Sequence, residues 1–378
     1  MRNLALSLSA SAFLLLAGCD APKPPTPTVD DTLSSAEPFP EAIRNEVMAQ
    51  TGKVCDATVV LKDSTAEFLD NPDADTLTAA QTQWAAAHRD YTQLMALYTV
   101  AGTQPLHIRD DRDSIDAYPM LPGYLDRVPG YPRSGLVYSE VPLTPDFLRE
   151  EHQYSDFYYL TLGFHPLETM LWGSAEQSAK ERAALYTRKE QVPEDQVDSH
   201  TRRAELLRLI AHRLTRDVAV LCQPNSQTHL MAELTTVVQH RADLLNASRR
   251  ALKTMVQSPL SQWSAHPDGE DRNGMPIWHA PLARSDFDNM RTQVAALNDH
   301  LLPLMFAAGN MEPKVLESLT ATFSALDQRL DAHANAGSEQ KQEALEVTLA
   351  HVNDLIQALE LPAATSAESE NDSEKTGQ

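Results

Sequence analysis

Apolar residues recur at alternating spacings of three and four along most of this chain, and that pattern restricts the fold more than any other feature. Leu77, Ala80, Trp84, Ala87, Tyr91, Leu94 and Tyr98 follow it without a miss, which is the period of a helix that buries one face. The same rhythm runs through Met290, Val294, Leu297, Leu301 and Leu304, through Leu316, Leu319, Phe323, Leu326 and Leu330, and through Leu345, Leu349, Val352, Ile356 and Leu359. Ile43, Val47, Val54, Ala57, Leu61 and Phe68 keep it with one polar step at Gln50. No run of alternating β-branched residues competes with these seams. The fold class is therefore all-α, two packed helical bundles in which stripes such as Trp84 and Tyr91 are core.

Two stretches rich in proline and glycine interrupt the helices. Residues 102–150 carry seven prolines and residues 258–284 form a shorter break; irregular connections as long as the first are often functional. The breaks suggest an N-terminal bundle over 41–222 and a C-terminal bundle over 228–361.

The N-terminus, MRNLALSLSASAFLLLAGCD, has one Arg, an apolar run from Leu4 to Leu16 and then Ala17-Gly18-Cys19. The run is too short to span a bilayer and reads as a signal peptide over 1–18 that ends in a lipoprotein processing box. Cleavage there leaves an acylated Cys19 as the membrane anchor, followed by a proline-rich tether over 19–40. A polar, acidic tail over 362–378 is expected to be disordered. The expectation is a periplasmic lipoprotein, with Asp20 favouring the inner membrane over the outer.

With Cys19 assigned to lipid, Cys55 and Cys222 remain. An oxidising compartment permits a disulfide between them, and a loop of roughly 165 residues would gain on the order of 4–5 kcal/mol from closure; the alternative is two buried thiols. Neither supplies a thiolate metal cluster. With 53 acidic and 31 basic residues the net charge is -22, which argues against nucleic acid, anionic lipid surfaces and acidic polysaccharide as the main partner and is compatible with cations.

The segment GFHPLETMLWG, residues 163–173, places His165 and Glu168 three positions apart. Pro166 suits the first position of a helix, which puts His165 at the N-cap and Glu168 at the third helical position. Two readings follow. Glu168 could close a capping box and meet the helix dipole, worth about 1 kcal/mol. Alternatively imidazole and carboxylate share one side of the first turn and converge on a metal ion. His is a poor capping residue. Further donors must come from elsewhere, and the run HIRDDRDSIDAYP offers Asp110, Asp111, Asp113 and Asp116, of which Asp113 and Asp116 are the candidates. The run lacks the glycine and closing Glu of a calcium loop. No H-E-x-x-H, G-x-S-x-G, phosphate loop or dinucleotide fingerprint is present.

The signal, the all-helical pattern and G-x-H-x-x-E followed by Leu171-Trp172-Gly173 together resemble the imelysin-like family, also called insulin-cleaving membrane proteases. The tryptophan-led helix WAAAHRDYTQLMALY and the element Asp116, Tyr118, Pro119 are similar too. The resemblance covers roughly residues 40–360. It implies paired helical bundles with the motif near their junction, an envelope protein associated with iron uptake or regulation, and a divalent ion, iron or zinc, held by His165 and Glu168 with Asp116 or Asp113. Where relatives often carry a Glu on the second helix, this chain has Thr92 and Met95 beside Tyr91. Envelope iron-uptake proteins are the partners this implies, alongside the membrane itself. Two other functions compete: a metallopeptidase using the same His and Glu, and a docking lipoprotein in which the motif only caps a helix.

Overall fold

A computed structural model describes residues 38–359, apart from 107, 109–111, 122, 128–130, 132, 175–176, 188–195, 267, 273, 308–312 and 336–340. The signal segment, Cys19, most of the tether, Asp110, Asp111 and the acidic tail lie outside the described residues.

Helices α1 (Pro38–Asp70) and α2 (Ala74–Ala101) form a long hairpin. Its turn is specified locally. The Asp73 carboxylate accepts from the amides of Asp75 and Thr76 at 2.9 and 2.8 Å, and Thr76 Oγ1 accepts from the Asp73 amide, which closes a capping box. Gly102, at φ 70°, ends α2 in the left-handed conformation that glycine adopts without cost. Every residue of the Leu77–Tyr98 seam is buried. Buried Thr51 and Thr65 on α1 return their hydroxyls to carbonyls one turn back, at 2.7 and 2.8 Å, and buried Gln50 donates Nε2 to Glu46 at 2.8 Å while its Oε1 has no partner among the described residues.

Helix α2 is the spine of the molecule. Against it pack α1, α4 (Phe164–Trp172), α5 (Ala179–Ala184), α7 (Pro224–Val238), α8 (Arg241–Leu252) and α10 (Asp286–Ala295). Helix α3 (Pro145–Glu151) lies in the first long connection, and α6 (Ser199–Val218) packs on α1 and α4. A disulfide joins Cys55 on α1 to Cys222 beyond α6. Helix α10 runs through a π turn, Ala296–Leu301, into α11 (Leu302–Ala307), while α12 (Pro313–Ala334) and α13 (Lys341–Ala358) pack on each other and cover α10 and α9, respectively. The seam from Met290 to Leu304 is buried throughout, as are Leu319, Phe323, Leu326 and Leu330. Among the described residues there is no β-strand, and no helix is long and apolar enough to cross a membrane.

The second interruption is shorter than its composition suggests. Residues 258–265 form helix α9 (Ser258–Ala265), reached from α8 through a π turn over Lys253–Gln257. Gln257 and Ser258 keep helical backbone angles and the Ser258 amide reaches the Lys253 carbonyl, so Pro259 lies inside a continuous helix just past the π turn. The irregular stretch is therefore 266–285.

A buried ion network fixes the far end of α4. Asp126 accepts from Arg182 Nη1 at 2.9 Å and from Arg203 Nε and Nη2 at 2.8 and 2.9 Å, and Arg182 Nε donates to the Met170 carbonyl at 3.0 Å. All three charged side chains are buried. The second guanidinium charge faces the carbonyl end of α4, where a cation is favourable.

Candidate metal centre

The G-x-H-x-x-E segment does not start its helix at Pro166. Gly163 is the N-cap, at φ 103°, and Phe164 is the first helical residue. A Cβ on Gly163 would stand 2.5 Å from the Ile115 carbonyl oxygen, which also accepts the Phe164 amide at 2.8 Å. The glycine is thus required both by its backbone angle and by this close approach. Pro166 falls at the third helical position, still among the four whose amides lack an acceptor within the helix. Glu168 is consequently too far into the helix to act as a capping-box residue.

His165 points instead into a group of imidazoles around one carboxylate, in which His88 and His165 are buried and His279 keeps 35% of its side chain exposed. His88 from α2, Asp116 from the first connection, His165 from α4 and His279 from the second connection each offer a donor atom, all within 4.8 Å of one another. Asp116 Oδ1 lies 3.0 Å from His88 Nε2 and 3.2 Å from His165 Nε2, and its Oδ2 lies 3.6 Å from His279 Nε2. His165 Nε2 is buried and makes no aligned hydrogen bond. Donors bound to one tetrahedral ion at 2.0–2.1 Å stand about 3.3 Å apart, and these separations straddle that value. The residues present therefore fit a metal ion.

Each donor is held from behind. His165 Nδ1 meets Glu168 Oε2 at 3.1 Å, while Glu168 Oε1 accepts the amides of Leu282 and Ala283 at 2.9 and 2.7 Å. Asp286 at the start of α10 accepts the His279 amide at 2.7 Å and the Ala280 amide at 3.2 Å. Two buried carboxylates thus secure the loop that delivers His279. His88 Nδ1 faces Asn289 Nδ2 at 3.2 Å, and the buried Asn289 Oδ1 has no partner. A half-turn of that amide would let Oδ1 accept from His88 Nδ1 and free Nε2 for a metal. Asp113 Oδ1 accepts the amides of Ile115 and Asp116 at 2.8 and 3.2 Å, shaping the turn that aims Asp116. Buried His152 ties this turn to the approach of α4, with Nε2 2.9 Å from the Asp113 carbonyl and Nδ1 accepting the Leu162 amide at 3.2 Å. Trp84 Nε1 donates to the Phe164 carbonyl at 2.8 Å and docks α4 on α2.

The electrostatics of the group are strongly coupled. Burial opposes charge on His165, but Asp116 and Glu168 outweigh it and raise its pKa to about 10. Burial likewise opposes charge on Asp116, yet His279, His88 and His165 hold its carboxyl far below the usual range. Burial pushes His279 down, against the attraction of Asp116. Asp286 is lifted by burial to about 6, despite the amides that favour its ionised form. The metal-free group therefore carries a proton on His165, between two carboxylates.

Of the four residues anticipated from sequence, His165 and Asp116 stand in the donor group. Glu168 and Asp113 are beside it, bonded to His165 and to backbone amides, respectively. His88 and His279 were not anticipated. His88 lies within the apolar seam of α2, beside Ala87 and Tyr91, where position alone reads as core. His279 sits in an irregular stretch whose path periodicity cannot trace. Two cavities reach the group, one of about 140 Å³ lined by His165, Glu168 and His279 and one of about 320 Å³ lined by Asp116, His279 and Asn289 among others.

The sequence profile of the family described as Imelysin matches residues 53–366. No curated protein sequence is significantly similar to the chain. Among solved structures, an imelysin-like protein from Psychrobacter arcticum 273-4 shares 14% identity at a TM-score of 0.53, covering 86% of this chain and 93% of its own. A protein named as an iron-regulated protein A precursor, from Parabacteroides distasonis ATCC 8503, shares 12% identity at a TM-score of 0.52, covering 86% of this chain and 94% of its own. At such identities the structures speak for the fold, and the profile match over most of the sequence carries the family: the chain belongs to the imelysin family.

Proposed function

We propose that this protein binds a divalent metal ion through His88, Asp116, His165 and His279, with Glu168 orienting His165, and that it serves iron handling in the bacterial envelope. The observation that supports this most is the convergence of four donor atoms from four separate segments, all within 4.8 Å, with buried His165 Nε2 3.2 Å from Asp116 Oδ1 and making no aligned hydrogen bond to it. Three imidazoles and one carboxylate suit iron(II) or zinc and are ill matched to calcium or magnesium. The link to iron rests on the family and on the neighbour named as iron-regulated. Attachment through an acylated Cys19 belongs to the same reading. It predicts that Cys19→Ala releases the protein from the membrane fraction.

A binding role is favoured over hydrolysis by two features. This group offers four protein donors, whereas catalytic zinc sites use three and keep a position for water. The carboxylate nearest the group, Glu168, is engaged by two amides and an imidazole and is not free to act as a general base. The test is calorimetry with iron(II) and with zinc on the wild type, His165→Ala and His279→Ala, with melting curves as a folding control. One ion per chain, with at least tenfold weaker binding in each folded variant, is the expected result. Unchanged binding in both variants would refute the site.

A further inference from the structure

The smaller cavity beside the donor group has a feature that the four donors leave unused. Its lining brings His165, His279 and Glu168 together with Arg127, the one lysine or arginine among the lining residues. Arg127 follows Asp126 directly, and its amide donates to Asp126 Oδ1 at 2.8 Å. Asp126 is itself locked by Arg182 and Arg203, so the backbone that carries Arg127 is anchored in the core. The Arg127 side chain is exposed, and its guanidinium has no hydrogen-bond or ion-pair partner among the described residues.

We propose that this cavity is an anion subsite, in which a small carboxylate or carbonate bridges the bound metal ion and the Arg127 guanidinium. The inference rests on the metal reading above. Its volume of about 140 Å³ leaves room for a small anion such as carbonate, formate or acetate. Guanidinium presents paired N–H donors that match a planar carboxylate, the geometry of bidentate recognition. An ion that expands to five ligands, as zinc can, has one position beyond the four protein donors, and the cavity lies against two of those donors. Glu168 does not repel the anion strongly, since its oxygens already accept two amides and face the His165 imidazole. The larger cavity offers no such site: its ionisable carboxylates are Asp116 and Asp286, with no lysine or arginine to offset them.

The test is titration of zinc into the full chain, first in carbonate-free chloride buffer and then with millimolar acetate or bicarbonate. Wild-type protein should bind zinc at least tenfold more tightly with the anion present, and by linkage should bind the anion more tightly with zinc present. In Arg127→Gln the tightening should fall below twofold, while Arg127→Lys, which keeps the charge and loses the fork, should retain part of it. Zinc affinity that ignores both anions in the wild type, or an equal response in Arg127→Gln, would overturn the subsite and leave the metal site standing. Failure to bind zinc in any buffer would overturn both.

Discussion

Glu168 Oε2 sits 3.1 Å from His165 Nδ1 within the first turns of one helix, while the other oxygen of the same carboxylate holds the Leu282 and Ala283 amides. One side chain thereby sets the tautomer of an imidazole and fixes the loop that supplies His279. This explains the spacing of G-x-H-x-x-E better than capping does. A carboxylate behind a ligating histidine raises its basicity and orients its ring.

Glu168→Gln is therefore expected to weaken metal binding about 10- to 100-fold. A capping role alone would leave binding unchanged, because glutamine serves in a capping box and only the dipole contribution, a few tenths of a kcal/mol, is lost. Calorimetry beside a thermal melt separates the two outcomes.

Metal and proton compete for His165. Its pKa of about 10 means that the metal-free protein carries this proton at neutral pH, and an ion that takes Nε2 must displace it. Binding should release about one proton per ion and should tighten close to tenfold per pH unit between pH 6 and 8. Calorimetry in buffers of different ionisation enthalpy measures the proton count directly. Binding without proton release would place the ion elsewhere.

Asp126 gives a stability prediction apart from the metal. Burial opposes its charge, but Arg203 and Arg182 hold its carboxyl well below the usual range. A depressed folded pKa contributes stability that is present above the unfolded value of about 3.9 and is lost as pH falls toward the folded one. Asp126→Asn leaves two buried guanidiniums without their carboxylate and should cost about 3–5 kcal/mol at pH 7. Its denaturant midpoint should also fall less steeply than that of the wild type below pH 4.

The helices were legible in the sequence because their buried faces repeat: the seams read on α1, α2, α10 with α11, α12 and α13 all pack into the core. The donor group was legible only where residue chemistry broke the expected pattern. His165 beside a proline and Asp116 in an acidic run stood out, whereas His88 occupies a core position on α2 where an imidazole looks like any other buried ring. His279 reaches the group through a contact between segments more than 100 residues apart, since its loop is anchored to Glu168. No local pattern encodes such a contact. The helix start was misplaced at Pro166 for a related reason: the close approach of Gly163 to Ile115 is tertiary and overrides the preference of proline for the first helical position.

The most direct measurement is anomalous diffraction at the zinc edge from crystals of the full chain grown with one equivalent of zinc. The account predicts a single strong peak about 2.0–2.2 Å from Nε2 of His88, His165 and His279 and from a carboxylate oxygen of Asp116. A peak bound elsewhere on the acidic surface, with those four side chains unliganded, would contradict it.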